Sequence, residues 1–354
     1  MTLLRIALIA SARYPIVQPF PGGMEAHTWA LATELRRRGH RVEVFAGAGS
    51  DPALGVTELA DKPLHVSAAA ATDPSMVAHW WLAEHHAYLT LMLRLAEPGA
   101  GFDIVHNNSL HYLPIAMAAS LTSPLVTTLH TPPTPWLESA IQATRTSPVA
   151  FVAVSSHTAQ AWRHVVPSAV VVHNGVDMDR WTVGPGGRGL AWAGRLVPEK
   201  GAPLAIRAAR AAGHPLRLAG PKSEPAYFDA EVAPLLGGDI EYVGHLNDAE
   251  LTTLLGESSA TLVTPCWEEP YGLVVAESLA CGTPVCGFAR GALPELVTPD
   301  CGRLVPGGDV EALSAAVGTV VGLSRAAARA HAERSWSHDA MVTGYERVYR
   351  ELSA

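Results

Sequence analysis

The chain of 354 residues is poor in cysteine and has no long apolar run. Its four cysteines are Cys266, Cys281, Cys286 and Cys301. They form no C-x-x-C pair, which argues against a zinc site, and three of them lie in apolar stretches. We therefore expect buried free thiols and a cytoplasmic protein. Because no run of about 18 apolar residues occurs, no membrane-spanning helix is expected.

An excess of positive charge is also missing. The chain has 33 acidic and 25 basic residues, with a formal net charge of -8. This balance excludes a typical nucleic-acid binder and weakens attraction to anionic lipid. The one sharp basic run, residues 35–41, is interpreted as the solvated end of a helix, with membrane docking as the less favoured alternative.

The apolar start of the chain predicts a buried strand over residues 4–10. It is too short for a signal peptide, and Arg13, Tyr14 and Pro15 follow without a cleavage site. Further strands are predicted at residues 41–46, 104–105, 125–129, 150–154 and 170–172. Helical patterns separate most of them, beginning with residues 24–38 before Gly39. Apolar strands alternating with helices indicate a parallel, doubly wound α/β sheet.

A glycine-rich segment, residues 184–189, then predicts a linker. The alternation restarts after it, with strands at residues 190–193, 216–219, 240–243, 260–263 and 285–288. Helices are predicted at residues 202–212, 248–257, 273–280 and 310–321. We predict two Rossmann-like domains, residues 1–182 and 183–336. An amphipathic helix within 337–354, with Met341, Tyr345 and Tyr349 at helical spacing, should return to the first domain.

Residues 268–285, EEPYGLVVAESLACGTPV, carry the strongest chemical signal. The turn at Pro270-Tyr271-Gly272 opens a helix, whose first N–H groups form an anion site. Glu269 and Glu277 are suited to accept hydrogen bonds from hydroxyl groups. An anion site beside carboxylates that accept hydrogen bonds from hydroxyl groups predicts that the protein binds a nucleotide-sugar. In the preceding segment AGRLVPEKG, residues 193–201, the cations Arg195 and Lys200 can bind a diphosphate or be ordinary surface charges.

These two segments resemble retaining glycosyltransferases of family 4, which have the GT-B fold. The resemblance extends to residues 21–25 (PGGME), 129–132 (LHTP) and 174–177 (NGVD). It implies two Rossmann-like domains facing across a cleft, with the acceptor on the first domain and the donor on the second. The donor-binding residues implied are Gly22, Gly23, Gly194, Arg195, Lys200, Val243, Gly244, His245, Leu246, Glu269, Tyr271, Gly272, Leu273 and Glu277.

The resemblance also assigns roles. Arg195 and Lys200 match the family's cations on the donor diphosphate. Glu269 matches the acid that contacts the transferred sugar, and Glu277 matches the one that holds the ribose hydroxyls. His130 matches the histidine beside the reacting sugar. The implied catalytic residues are thus His130, Glu269, Arg195 and Lys200.

Three further interpretations stay open. His106 and Asn107 end a predicted strand and either face the acceptor or form a simple turn. The aromatic-rich helix within residues 76–95 forms either core or a wall of the acceptor pocket. Asp177-Met178-Asp179 resembles a metal motif but lies at the predicted domain junction, so we expect no metal and no cofactor.

The expected reaction is transfer of a hexosyl group, with retention, to a hydroxyl of a small-molecule or glycan acceptor. A UDP-sugar donor is preferred to a GDP-sugar, because residues 218–221 and Tyr227-Phe228 are similar to compact members of the family. The alternatives are a UDP-sugar 2-epimerase and a non-catalytic nucleotide-sugar-binding protein. A dinucleotide dehydrogenase is disfavoured because no G-x-G-x-x-G follows the first strand. The sequence does not predict the oligomeric state.

Overall fold

Two parallel α/β sheets account for most of the protein. The computed structural model describes residues 3–60, 64–144 and 149–353. Within these ranges the first sheet has seven strands and the second six, and every pair of neighbouring strands is parallel. The predicted doubly wound architecture is confirmed.

The first sheet is formed by β1 (Arg5–Ile9), β2 (Arg41–Ala46), β3 (Thr57–Glu58), β4 (Ile104–Asn107), β5 (Leu125–Leu129), β6 (Val149–Ala153) and β7 (Val170–Val171). Its α-helices are α1 (Gly23–Arg37), α2 (His79–Leu95), α3 (Leu113–Ala116), α4 (Pro135–Ala143) and α5 (Ser156–Trp162).

The second sheet is formed by β8 (Leu190–Ala193), β9 (Leu216–Ala219), β10 (Ile240–Gly244), β11 (Ala260–Val263), β12 (Val285–Phe288) and β13 (Gly302–Val305). The helices of this half are α6 (Ala202–Ala212), α7 (Pro225–Tyr227), α8 (Asp248–Gly256), α9 (Leu273–Ala280), α10 (Leu293–Leu296), α11 (Val310–Val320) and α12 (Arg325–Ser335). The last helix, α13 (His338–Ser353), follows them in the chain.

The strand order places the ligand edge of each sheet. The first sheet runs β3-β2-β1-β4-β5-β6-β7 and the second β10-β9-β8-β11-β12-β13. The order therefore reverses direction beside β1 in one sheet and beside β8 in the other. Ligands of such folds bind outside the carboxyl ends of the strands at this reversal. The loops after β1, β8 and β11 are therefore expected to line the ligand site.

Helix α13 packs on the first sheet, as predicted. Its Met341, Tyr345 and Tyr349 are buried in one cluster with residues of α1 and β1. Arg38 at the end of α1 donates to the carboxylates of Asp339, at 2.6 Å, and of Glu346, at 2.8 Å. Arg38, which belongs to the basic run, thus binds α13 to the first domain. A cation is favourable at the C-terminus of α1, and α13 supplies the two carboxylates.

The glycine-rich segment, residues 184–189, packs closely against the protein and is not a flexible linker. A Cβ at Gly184 would lie 2.4 Å from the Cα of Gly256, and one at Gly187 would lie 2.2 Å from the carbonyl oxygen of Glu257. The amide of Gly186 also donates to the Gly256 carbonyl, at 2.9 Å. Glycine is required here because two backbones touch, and the segment lies against the second half of the protein.

Strands β3 and β13 and helix α12 are among the elements that were not predicted, for physical reasons. Strand β3 has only two residues, and β13 (Gly-Arg-Leu-Val) is an edge strand with little apolar pattern. Helix α12 is rich in alanine and arginine and buries only Ala328 and Ala332, so its apolar stripe is narrow.

The remaining predictions on composition are met in part. Cys281, Cys286 and Cys301 are buried free thiols, whereas Cys266 is exposed. In the described ranges no single helix is both long and apolar enough to cross a bilayer. The pair α11 and α12 passes on length and composition together, but is bent by 104°.

Candidate active site

A cleft of about 800 Å³ lies between the two sheets and is lined by the loops after β1, β5, β8 and β11. Hydrogen bonds bridge the two halves around it. His245 Nε2 lies 3.0 Å from the carbonyl oxygen of Phe20, and Gln18 donates to Asp248 at 2.9 Å. The hydroxyl of Tyr271 donates to the Asn174 carbonyl at 2.7 Å. These bonds hold the two walls of the cleft at a defined separation.

Two helices begin at the cleft and face each other. Helix α1 begins at Gly23, and α9 begins at Leu273 after Gly272, whose φ of 95° favours glycine. A Cβ on Gly23 would lie 3.9 Å from the Leu273 side chain. In the described chain neither helix start has a side-chain cap, so both present free backbone N–H groups. The paired helix starts form a site for an anion.

Arg195 and Lys200 both line this part of the cleft, as predicted. Lys200 is the last residue of the 3-10 turn Pro198–Lys200, and its Nζ lies 2.6 Å from Oε2 of Glu269. Arg195 is more open, with its guanidinium 3.2 Å from Glu199 and 37% of its side chain exposed. Two cations, each paired with a carboxylate, therefore line the same cleft as the two helix starts, an arrangement that suits an anion able to share them.

Glu269 is held tightly at the cleft. Its carboxylate accepts from Lys200 and, at 2.9 Å, from the indole N–H of Trp267. Its own carbonyl oxygen accepts from the Ala292 amide at 2.8 Å. The residue is only 9% exposed. The sequence assigned Lys200 and Glu269 to different parts of the donor, whereas the structure joins them in one ion pair.

Glu277 lies on α9, is half-buried, and also lines the cleft. Burial, with Asp248 as a smaller cause, raises the pKa of its carboxyl to about 8. A carboxyl group in this position can accept or donate hydrogen bonds to hydroxyls. Gly194, His245, Leu246, Tyr271, Gly272 and Leu273 also line the cleft, whereas Val243 and Gly244 lie outside the lining.

His130 lies at the cleft immediately after β5, as predicted. Its Nε2 lies 3.1 Å from Oδ1 of Asn108 and donates to this oxygen in the tautomer that carries the proton on Nε2. Burial lowers the pKa of His130 to about 3, which keeps the imidazole neutral at physiological pH.

The structure does not bring His106 and Asn107 to the cleft lining. His106 is fully buried, with Nδ1 2.7 Å from the Tyr349 hydroxyl and Nε2 2.7 Å from Oγ1 of Thr128. Asn107 accepts from the amide and hydroxyl of Ser109 and shapes the turn. The acceptor-facing interpretation is wrong in position, because α13 covers the face of β4 that carries His106.

Glu25 is a cleft residue that received no role from the sequence. It lies in the first turn of α1 and is 5% exposed. Within the described residues its Oε1 is buried without a hydrogen-bond partner. Burial raises its pKa to about 7, against smaller opposing effects of its own backbone N–H and of Arg195. The signal available was the position, since Glu25 lies two residues after the Gly-Gly turn.

The buried acids and histidines predict a stability maximum near pH 6.5. Glu25 and Glu277 keep their protons in the fold up to about 7 and 8, whereas in the unfolded chain they ionise near 4.5. Stability is therefore lost as the pH rises through this range. His106 and His130, with pKa values near 3, and His111, near 4, stay neutral in the fold while the unfolded chain gains protons below 6.5. Stability is therefore lost on acidification too.

The carboxyl contribution can be isolated above pH 6.5. The melting temperature should fall by about 1–2 °C between pH 6.5 and 8, for a change in the free energy of unfolding on the order of 1 kcal/mol, and Glu277→Gln should flatten this fall. Glu257→Gln, on an exposed carboxylate outside the cleft, is the control. An unchanged alkaline slope in Glu277→Gln would contradict the assignment.

The fold and the cleft together define a GT-B glycosyltransferase: two facing Rossmann-like domains, with two helix starts, cations and acidic side chains in the cleft between them. The chain belongs to glycosyltransferase family 4. Residues 21–180 match the description Glycosyltransferase Family 4, and residues 185–333 match Glycosyl transferases group 1. The prediction of a family 4 glycosyltransferase is confirmed, and with it the use of a nucleotide sugar.

Relatives and solved structures agree with this assignment. The D-inositol 3-phosphate glycosyltransferase of Mycolicibacterium paratuberculosis is 30% identical, with 99% of this chain and 91% of the relative covered. AviGT4, a glycosyltransferase involved in avilamycin A biosynthesis, matches with a TM-score of 0.73 and 25% identity over 99% of this chain and 98% of that one. Anabaena HepE in complex with UDP and glucose shares the fold, with a TM-score of 0.75 and 18% identity over 99% and 100%.

Proposed function

We propose that the protein transfers a hexosyl group from a UDP-sugar to a hydroxyl of a small-molecule or glycan acceptor, with retention and without a metal. The observation that carries this proposal is the convergence of two uncapped helix starts with Arg195 and Lys200 at one point of the cleft. A pyrophosphate is the ligand that such a site suits best. Glu269 and Glu277 then lie on either side for sugar and ribose hydroxyls.

The donor binds, in this proposal, mainly to the second domain. The pyrophosphate lies against the starts of α1 and α9, beside Gly23 and Leu273, and the ribose lies toward Glu277. Glu269 contacts the transferred sugar and keeps its ion pair with Lys200. Anabaena HepE has been solved with UDP and with UDP-glucose, which makes UDP the first nucleotide to test.

Retention is proposed to occur by front-face attack. The bond from the anomeric carbon to the phosphate oxygen breaks, and the acceptor oxygen bonds to the same face. The acceptor proton passes to the departing phosphate oxygen, so no protein nucleophile is needed. Glu269 is a poor nucleophile in this setting, because Lys200 and Trp267 already bind its carboxylate. A glycosyl adduct trapped on Glu269 would contradict this step.

A thermal-shift panel of UDP, GDP, ADP and dTDP tests the donor site. A ligand that binds only the folded form raises its melting temperature. We expect the largest shift with UDP. Incubation with UDP-sugars alone separates the alternatives, since a 2-epimerase would convert the sugar without an acceptor. Absence of any shift with the four nucleotides would contradict the proposed function.

Turnover should survive chelation. Positive charge for the leaving diphosphate comes from Arg195, Lys200 and the helix starts, which replace a metal in this role. We therefore expect turnover in excess EDTA to match that in magnesium within about twofold. Loss of turnover in EDTA that magnesium restores would show that a metal is required.

A further inference from the structure

The first-domain wall of the cleft is built largely from aromatic rings. The rings of Tyr88, His111, Tyr112 and Trp136 form a continuous stack, with successive centroids 4.3, 4.9 and 5.4 Å apart and interplanar angles of 17°, 22° and 23°. Trp81 lies 6.0 Å from Trp136. We call these five residues the aromatic shelf, and all of them line the cleft.

The inner end of the aromatic shelf is fixed to the sheet. The fully buried Tyr88 donates its hydroxyl to the Ala10 carbonyl at 2.9 Å and accepts from the Ala12 amide at 3.1 Å. His111 Nδ1 accepts from the Leu113 amide at 3.2 Å. Because the end of β1 anchors the stack, its outer rings are positioned before any ligand arrives, which lowers the entropic cost of binding.

The outer end of the aromatic shelf is open. Trp136 is 57% exposed, and the neighbouring cleft residues Trp80 and Leu110 are 60% and 39% exposed. Single exposed apolar residues are common, but a contiguous set inside a cleft marks a ligand site. An indole face exposed in this way offers an apolar, electron-rich plane on which a flat ring can stack.

The described residues of this region offer little net positive charge. Arg13 forms an ion pair with Glu84 at 2.8 Å, and Arg180 forms one with Asp248 at 2.5 Å. Burial, with smaller effects of nearby cations, lowers the pKa of His111 to about 4, so its ring is neutral at physiological pH. Arg13 binds Glu84 through its Nε, so an anionic ligand on the aromatic shelf would compete with this carboxylate for the charge of the same guanidinium.

We propose that the acceptor is an uncharged molecule with a flat apolar ring face, which stacks on Trp136 at the outer end of the aromatic shelf. This inference rests on the proposed function, since the acceptor is the partner of the same transfer. It departs from the curated relatives at about 30% identity, whose name specifies a phosphorylated polyol. The ring face can be an aryl group or the apolar face of a pyranose, because both present flat C–H or π surfaces.

Isothermal titration calorimetry on the full chain, saturated with UDP, tests the proposal with four probes. They are 4-nitrophenyl β-D-glucoside, 4-nitrophenol, methyl β-D-glucoside and D-inositol 3-phosphate. We expect 4-nitrophenyl β-D-glucoside to bind at least about tenfold more tightly than D-inositol 3-phosphate. Of the two fragments, the one that retains binding identifies aryl or pyranose stacking.

Variants assign the binding to the aromatic shelf. Trp136→Ala should weaken binding of 4-nitrophenyl β-D-glucoside by about tenfold, and Trp136→Phe by about threefold or less. Both should leave the Kd of UDP unchanged. Leu93→Ala removes a side chain that is 56% exposed outside the cleft and should change neither value.

Three results would overturn the inference. They are tighter binding of D-inositol 3-phosphate than of 4-nitrophenyl β-D-glucoside, no saturable binding of the two glucosides or of 4-nitrophenol, and an unchanged Kd of 4-nitrophenyl β-D-glucoside in Trp136→Ala. In each of these cases UDP still binds, and the proposed function stands. Failure of the unmodified protein to bind UDP removes the proposed function instead, and the acceptor inference with it.

Discussion

Replacing Arg195 or Lys200 by alanine is expected to lower kcat/KM for the UDP-sugar by about 100-fold or more in each case. In the proposed reaction negative charge accumulates on the departing diphosphate, and these two cations would stabilise it more in the transition state than in the bound donor. Arg195 is loosely paired with Glu199 and is open to the cleft, so it can exchange its partner for a phosphate. Initial rates of UDP release over a range of donor concentrations measure the effect.

The two substitutions should differ in a second respect. Lys200→Ala also leaves the carboxylate of Glu269 without its cation, which disturbs the sugar contact as well as the diphosphate contact. Arg195→Ala removes only the diphosphate contact. Arg217→Ala is the matched control, because Arg217 is a similarly exposed arginine that pairs with Glu257 at 3.3 Å outside the cleft. Unchanged turnover in Arg195→Ala and Lys200→Ala would remove the diphosphate assignment.

Gly23→Val is expected to reduce turnover about 100-fold while leaving the fold intact. Gly23 is exposed to the cleft, and a Cβ there would lie 3.9 Å from Leu273, an ordinary van der Waals contact. A Cβ therefore fits here in ordinary contact with its neighbour, and the methyl groups of valine extend beyond it into the cleft. The space that they fill lies at the starts of α1 and α9, where the proposal places the pyrophosphate.

Gly318→Val provides the comparison for this prediction. Gly318 is also an exposed helical glycine, and no atom lies within 4 Å of a Cβ built on it. Both variants exchange glycine for valine in a helix, so their effects on helix propensity are similar. We expect equal melting temperatures, with the loss of UDP binding confined to Gly23→Val. Full UDP binding by Gly23→Val would move the pyrophosphate away from the helix starts.

The donor side of the cleft was predictable because its signals are local in sequence. Pro270-Tyr271-Gly272 opens a helix, and Arg195 and Lys200 follow a strand within one loop. A short motif after a strand fixes where its residues project, since the carboxyl ends of parallel strands meet at one edge. The ion pair between Lys200 and Glu269 was not predictable, because 69 residues separate them.

The acceptor side was less predictable because its residues are brought together by the fold. The sequence pointed to the aromatic helix within residues 76–95, and Trp81 and Tyr88 of that helix do belong to the aromatic shelf. Trp136 carries no motif and was missed. It reaches the shelf only because α4 packs beside α3, which brings its indole to within 5.4 Å of Tyr112.

By itself the sequence determined two doubly wound α/β domains, a helix that returns to the first of them, and the donor motifs at the ends of strands. These features follow from hydrophobic periodicity and from turns, both of which act over a few residues. Only the tertiary structure decided that α13 buries His106, that Oε1 of Glu25 lies buried in the cleft without a partner among the described residues, and that stacked rings line the first-domain side of the cleft. Those outcomes depend on which faces pack together, and packing joins side chains that lie far apart along the chain.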